Sequence, residues 1–167
     1  MPEKETLRRA QRDKRQGKAA STQAGEFVRE EMDHIREGKH GARSSKQAIA
    51  IGLSKARRAG VNLPAPRKGK TSAQTRRRAS RDYARGHGAP AKQKATAKRS
   101  RATLSALKRE SRSAASHRAL AKQARSAAKR RTAASRSAAA RRASRTKGAS
   151  VRSAAARKAS RTRARAH

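Results

Sequence analysis

The residues of this 167-residue chain best equipped for chemistry lie beyond Glu110, where cations run to the end without one side-chain carboxylate. They are Arg112, Arg118, Lys122, Arg125, Lys129, Arg130, Arg131, Arg136, Arg141, Arg142, Arg145, Lys147, Arg152, Arg157, Lys158, Arg161, Arg163 and Arg165. A guanidinium forks onto a phosphate through two parallel hydrogen bonds, and an ammonium meets it as a point charge. Duplex DNA carries one negative charge per ~1.7 Å, and each neutralised phosphate releases counterions, so such contacts are steeply salt-dependent. Arginine outnumbers lysine here, which suits narrow minor grooves. No recognition motif offers base-edge readout. Tyr83 is the one aromatic after residue 66, so stacking platforms for single strands are missing. These residues predict nucleic-acid binding without sequence preference, with duplex DNA favoured and RNA possible. A tail that only solubilises is the bland alternative, but solubility does not need so long an uninterrupted cationic run.

Other chemistries find little support. The absence of cysteine excludes disulfides, thiolate catalysis and thiolate metal sites. No Gly-rich phosphate loop, GxSxG or HExxH occurs. No enzyme and no cofactor are therefore predicted. His34, His40, His87, His117 and His167 are expected as exposed side chains, with no metal assigned. Glu30, Glu31, Asp33 and Glu37 fit a solvated helix face, with an alternative use as an acidic patch that transiently holds the basic tail. The strings RRRAS (76–80) and RRAS (141–144) resemble basophilic kinase sites, which arise by chance in so Arg- and Ser-rich a chain.

The elements that must position the cations are sparse. The formal net charge is +38, and residues 67–167 carry +31 of it. Nine of the 16 large apolar residues fall in residues 21–63. The fold class expected is mostly α: a small helical hairpin, about 22–37 and 45–59, with a long basic, largely disordered or conditionally helical C-terminal tail. Four regions are expected. Residues 1–20 form a basic, frayed and solvated N-terminal arm. Residues 21–66 form the hairpin core, built on Phe27, Val28, Met32, Ile35, Ile49 and Leu53. Residues 67–99 form a basic linker with one short helix from Ser72 to about Arg85. Residues 100–167 form an Ala/Arg/Lys/Ser repeat tail.

Local signals support the hairpin. Ser21 or Thr22 suits a helix start, and Gly38 a left-handed end. Ser44 or Ser45 suits the second start. Ile49, Ile51 and Leu53 alternate as in a strand, yet no other β-rich segment exists to pair with them. The continuation SKARRAGV, with Gly60 after the cations, favours a helix stop. In the tail, RSAAARRASRT (136–146) recurs as RSAAARKASRT (152–162). Ala, Arg and Lys favour helix, but like charges at helical spacing oppose it. The tail is therefore expected as a coil when free, gaining helix on a polyanion.

Residues 26–60, EFVREEMDHIREGKHGARSSKQAIAIGLSKARRAG, resemble the core of an uncharacterised bacterial family of small basic proteins. The shared pattern falls on Phe27, Glu31, Met32, Gly38, Lys39, Lys46, Gln47, Ala48, Ile49, Ala50, Ile51, Leu53, Ser54 and Ala56. The resemblance implies bacterial origin and carries no activity. The tail is similar in composition to bacterial histone-H1-like proteins, though richer in Arg and without Lys-Pro repeats. A nucleoid-associated, cytoplasmic protein is the leading expectation, with no membrane contact. A forty-residue hairpin has a marginal core, so a homodimer or a protein partner through residues 21–66 is also expected. The alternatives are an RNA- or ribosome-associated accessory protein, and a structural or stress protein whose hairpin binds another protein.

Overall fold

The computed structural model describes residues 2–90, 96–146 and 148–164. Among them the order is α1 (Lys4–Arg15), α2 (Ala20–Arg36), α3 (Ser45–Arg58), α4 (Ala73–Gly86), α5 (Ala97–Arg109), a 3-10 turn (Arg112–Ala115), α6 (His117–Lys129), α7 (Ala133–Thr146) and α8 (Ala149–Ala164). The chain divides into two compact units, Met1–Gln123 and Ala124–His167. The mostly helical class holds. The architecture of a bare hairpin with a long disordered tail does not: helices continue to residue 164, and segments on both sides of the hairpin build its core.

The hairpin is α2 and α3. Helix α2 begins at Ala20 behind Ala19, which makes no side-chain cap, so neither Ser21 nor Thr22 is the cap. Its end follows the glycine signal. Gly38 sits at φ 80°, its N–H donates to Ile35 O (3.2 Å), and the Lys39 N–H donates to His34 O (3.0 Å). That pair of bonds satisfies carbonyls the last turn would leave open. Helix α3 starts at Ser44, whose Oγ accepts from the Gln47 N–H (3.3 Å), while Gln47 Oε1 accepts from the Arg43 N–H (3.0 Å). The Ile49–Ile51–Leu53 alternation lies within this helix. Gly52 marks the crossing, because a Cβ there would stand 2.7 Å from Val28 Cα.

Two apolar clusters flank the crossing. Phe27, Ala24, Ala56 and Val61 are joined by Ala10 of α1, with Leu7, Leu53 and Leu63 half-buried around them. Residues 3–16 are thus a docked helix, not the solvated arm predicted from so few apolar side chains. Small residues suffice because the Phe27 ring supplies the bulk. Polar contacts fix the docking: Arg9 Nε pairs with Glu26 (3.1 Å), Lys18 Nζ with Asp13 (2.6 Å), and the Glu3 N–H donates to Glu30 Oε2 (3.1 Å). The Glu3 carboxylate accepts from His34 and Lys39, in that order the chief causes of a carboxyl pKa below its ordinary value.

The second cluster holds Met32, Ile35, Ala42 and Ala48, closed by Ala114 and Ala115, with Val28, Ile49 and Leu120 half-buried against it. Residues 107–120 therefore dock on the core, with Ala114 and Ala115 inside it. They dock largely through main-chain carbonyls. Leu107 O accepts from the Gly41 N–H (2.8 Å) and Ser111 O from the Ala42 N–H (3.1 Å). Ala114 O accepts from Ser45 Oγ (2.6 Å) and Ala115 O from Arg36 Nε (3.2 Å). A Cβ at Gly41 would lie 1.9 Å from Glu110 O, so only glycine permits this approach.

Helix α4 packs on α3. Ser72 caps it by accepting from the Thr75 N–H (3.2 Å). Asp82 accepts from Ser54 Oγ and pairs with Arg58 (3.7 Å), while Tyr83 Oη donates to Asn62 Oδ1 (2.7 Å).

The remaining helices correct the expectation of a coil that folds only on a polyanion. Each of α5, α6 and α7 is opened by a hydroxyl cap. Thr96 accepts from the Arg99 N–H (3.4 Å), Ser116 from the Ala119 N–H (3.2 Å) and Thr132 from the Ser135 N–H (3.2 Å). A cap of this kind contributes about 1 kcal/mol. Alanine provides the highest intrinsic propensity, and together these outweigh like-charge pairs of a few tenths of a kcal/mol each. No residue of α5, α6 or α8 is fully buried. Helix α5 meets the core through the Leu107 carbonyl and α6 through Leu120, so local terms carry most of these helices.

Candidate nucleic-acid interface

Of the 18 predicted cations, 16 lie among the described residues and all 16 are exposed; Lys147 and Arg165 fall outside. They sit on four elements. Arg112 opens the 3-10 turn. Arg118, Lys122, Arg125 and Lys129 recur on α6 at steps of four, three and four, which places them along one face. Arg136, Arg141, Arg142 and Arg145 belong to α7, with Arg130 and Arg131 just before it. Arg152, Arg157, Lys158, Arg161 and Arg163 belong to α8. Spacings of four, Arg141 to Arg145 and Arg157 to Arg161, bring pairs of guanidinium groups side by side. Helix thus holds most of these groups within about one turn of another, as a coil would not.

Cations outside that set also face solvent. Arg77 and Arg81 of α4, one turn apart, line an open depression of about 850 Å³ with Ala73, Gln74 and Ser80. On α5, Lys98, Arg99, Arg101, Lys108 and Arg109 are exposed. Sequence reasoning gave residues 67–99 to a linker and counted only the acid-free stretch, so it passed these over. Their signal was present in the RRRAS run and the Ser72 cap.

Residues 4–68 match a family described as a family of unknown function (DUF6496). The match takes in α1, α2 and α3, and so reaches further toward the N-terminus than the resemblance over 26–60. It stops before every cation just described. No curated protein and no solved structure matches the chain.

Within the matched segment, the acidic face differs from its expected form. Glu30 and Glu31 are 3% and 0% exposed, not solvated. Lys55 of α3 reaches both, at 3.3 Å from Glu30 Oε1 and 2.7 Å from Glu31 Oε2. The face therefore serves helix–helix pairing, and the tail segment that docks nearby uses backbone carbonyls. Asp33 and Glu37 pair locally, with Arg36 (3.2 Å) and Lys39 (2.9 Å). His34 and His40 are half-buried rather than exposed, and His87 and His117 are exposed; His167 lies outside the described residues. The hairpin core residues Phe27, Met32 and Ile35 are buried, with Val28, Ile49 and Leu53 half-buried at the same clusters. Among the described residues no helix is long and apolar enough to cross a membrane.

Proposed function

We propose that the chain binds nucleic acid without sequence preference, coating or condensing duplex DNA in a histone-H1-like, nucleoid-associated manner. The observation that carries this reading is the exposure of all 16 described cations beyond Glu110, in a stretch that contains no side-chain carboxylate. A polyanion is the partner that relieves such a charge. Most of these cations stand on preformed helices, so contact with phosphate does not carry the ordering entropy of a coil. Base-edge specificity has no source among these side chains, and the affinity is set by phosphate neutralisation. The activity is binding, not catalysis.

The hairpin's part is to hold the first helices in place. Its two apolar clusters are packed by α1 and by residues 114–120. A second copy or a protein partner on residues 21–66 is a further contact proposed from the small size of the hairpin. RNA remains the rival polyanion. Competition for the purified full chain between duplex DNA, single-stranded DNA and structured RNA at one salt concentration tests the assignment. Duplex DNA competing best supports it, and RNA displacing duplex at a tenfold lower concentration overturns the DNA reading in favour of the RNA-associated one.

A further inference from the structure

We propose that Glu31, His34 and His40 form a binding site for a first-row divalent metal ion of the zinc type. This goes beyond nucleic-acid binding and does not depend on it. One ligand atom from each residue lies within 4.8 Å of the others. Glu31 and His34 are three apart on α2, the spacing that puts a carboxylate and an imidazole on one helix face. His40 comes from the loop that follows, folded back by the Gly38 turn. Its Nε2 stands 3.3 Å from Glu31 Oε1. Ligands bound at ~2.0–2.2 Å to one tetrahedral ion are roughly 3.3–3.5 Å apart, so this pair already has the required separation.

The second observation is the state of the Glu31 carboxylate. It is fully buried, and neither oxygen makes a hydrogen bond. Oε2 is ion-paired with the Lys55 ammonium (2.7 Å), which also reaches Glu30 (3.3 Å). Oε1, on the His40 side, is the oxygen left to a ligand, and buried carboxylate oxygens are normally satisfied.

The imidazoles are oriented for the same purpose. His40 Nδ1 lies 3.1 Å from Gly41 O, a pure acceptor, so the proton belongs on Nδ1. In the neutral tautomer the Nε2 lone pair then faces a carboxylate oxygen (3.3 Å), an arrangement that a cation between them relieves. His34 Nε2 lies 2.8 Å from the Glu3 carboxylate; donating its N–H there leaves the Nδ1 lone pair as the ligand atom. Carbonyl and carboxylate partners of this type fix ligand imidazoles in metal sites. Two imidazoles and one carboxylate suit zinc, with a further position open to solvent. The ion would tie α2 to the 37–44 loop, whose Gly41 and Ala42 hold residues 107–111. It would thereby brace the docking of the basic segments.

The test titrates zinc sulfate, and cobalt chloride as a coloured substitute, into the chelator-stripped full chain in chloride buffer. One equivalent is expected to bind, with visible cobalt bands of a four-coordinate site. His34→Gln and His40→Gln, half-buried positions that retain an amide, are each expected to weaken binding at least about 100-fold. The double variant His87→Gln/His117→Gln is expected to leave it unchanged. Far-UV circular dichroism checks that each variant keeps its helices, and the His34 variant carries the test if the His40 variant does not. Absence of one-to-one uptake, or uptake lost in the 87/117 variant and kept in the other two, overturns the proposal.

Discussion

Substituting Gly41→Ala tests whether residues 107–120 truly complete the hairpin core. Gly41 does not occupy the left-handed region, so alanine is compatible with its backbone and the effect isolates the close approach. The new Cβ would sit 1.9 Å from Glu110 O and 2.4 Å from its carbonyl carbon, against 3.4 Å for an ordinary contact. The two segments must separate by roughly 1.5 Å, the difference between those distances. That opens the Gly41–Leu107 and Ala42–Ser111 hydrogen bonds, each contributing about 1 kcal/mol. It also uncovers the Ala114 and Ala115 methyls, at about 0.8 kcal/mol each. The expected destabilisation is about 3.6 kcal/mol. Urea unfolding of the full chain, followed by circular dichroism, measures it, and faster amide exchange at position 42 locates it. A variant within ~0.5 kcal/mol of wild type, with slow exchange at position 42, would refute the docking.

Other substitutions probe neighbouring links. Gly25→Ala, at an exposed interior position of α2 with nothing within 4 Å of the new Cβ, should stabilise the chain by about 0.5–1 kcal/mol in urea unfolding. Asp82→Ala removes the acceptor of Ser54 Oγ and the partner of Arg58, and should cost about 1–2 kcal/mol with faster amide exchange in α4. Thr132→Ala should lower helicity measured by circular dichroism, through loss of a cap contributing about 1 kcal/mol to α7. Replacing Arg141, Arg145, Arg157 and Arg161 together by Gln should make the salt slope of duplex binding shallower by about 3.6 while leaving helicity intact.

The legible parts of the fold were those written in local chemistry. The Gly38 and Gly60 turns, the Ser44 and Ser72 caps and the spacing of Phe27, Met32 and Ile35 each act within a few residues of themselves. What escaped was tertiary. Leu7 and Ala10 look too slight to dock a helix until the Phe27 ring is placed beneath them. Residues 112–116 read as part of the Ala/Arg/Lys/Ser repeat tail, yet Ala114 and Ala115 fill a core and their carbonyls accept from Ser45 and Arg36. Main-chain acceptors carry no residue signature. Glu30 and Glu31 look solvated on a helical projection because Lys55 belongs to another helix. The caps at Thr96, Ser116 and Thr132 are hidden by a Ser- and Thr-rich background. The cations beyond Glu110 were legible, because charge follows from composition alone; their helical placement, and the exposed cations of α4 and α5, were not.

The most direct test is the affinity of the full chain for duplex DNA measured across a salt series. If ten of the exposed cations neutralise phosphates, log K falls against log salt with a slope of about −9, and far-UV circular dichroism shows no gain of helix on binding. Failure to bind in dilute buffer, or an affinity indifferent to salt, would contradict the account.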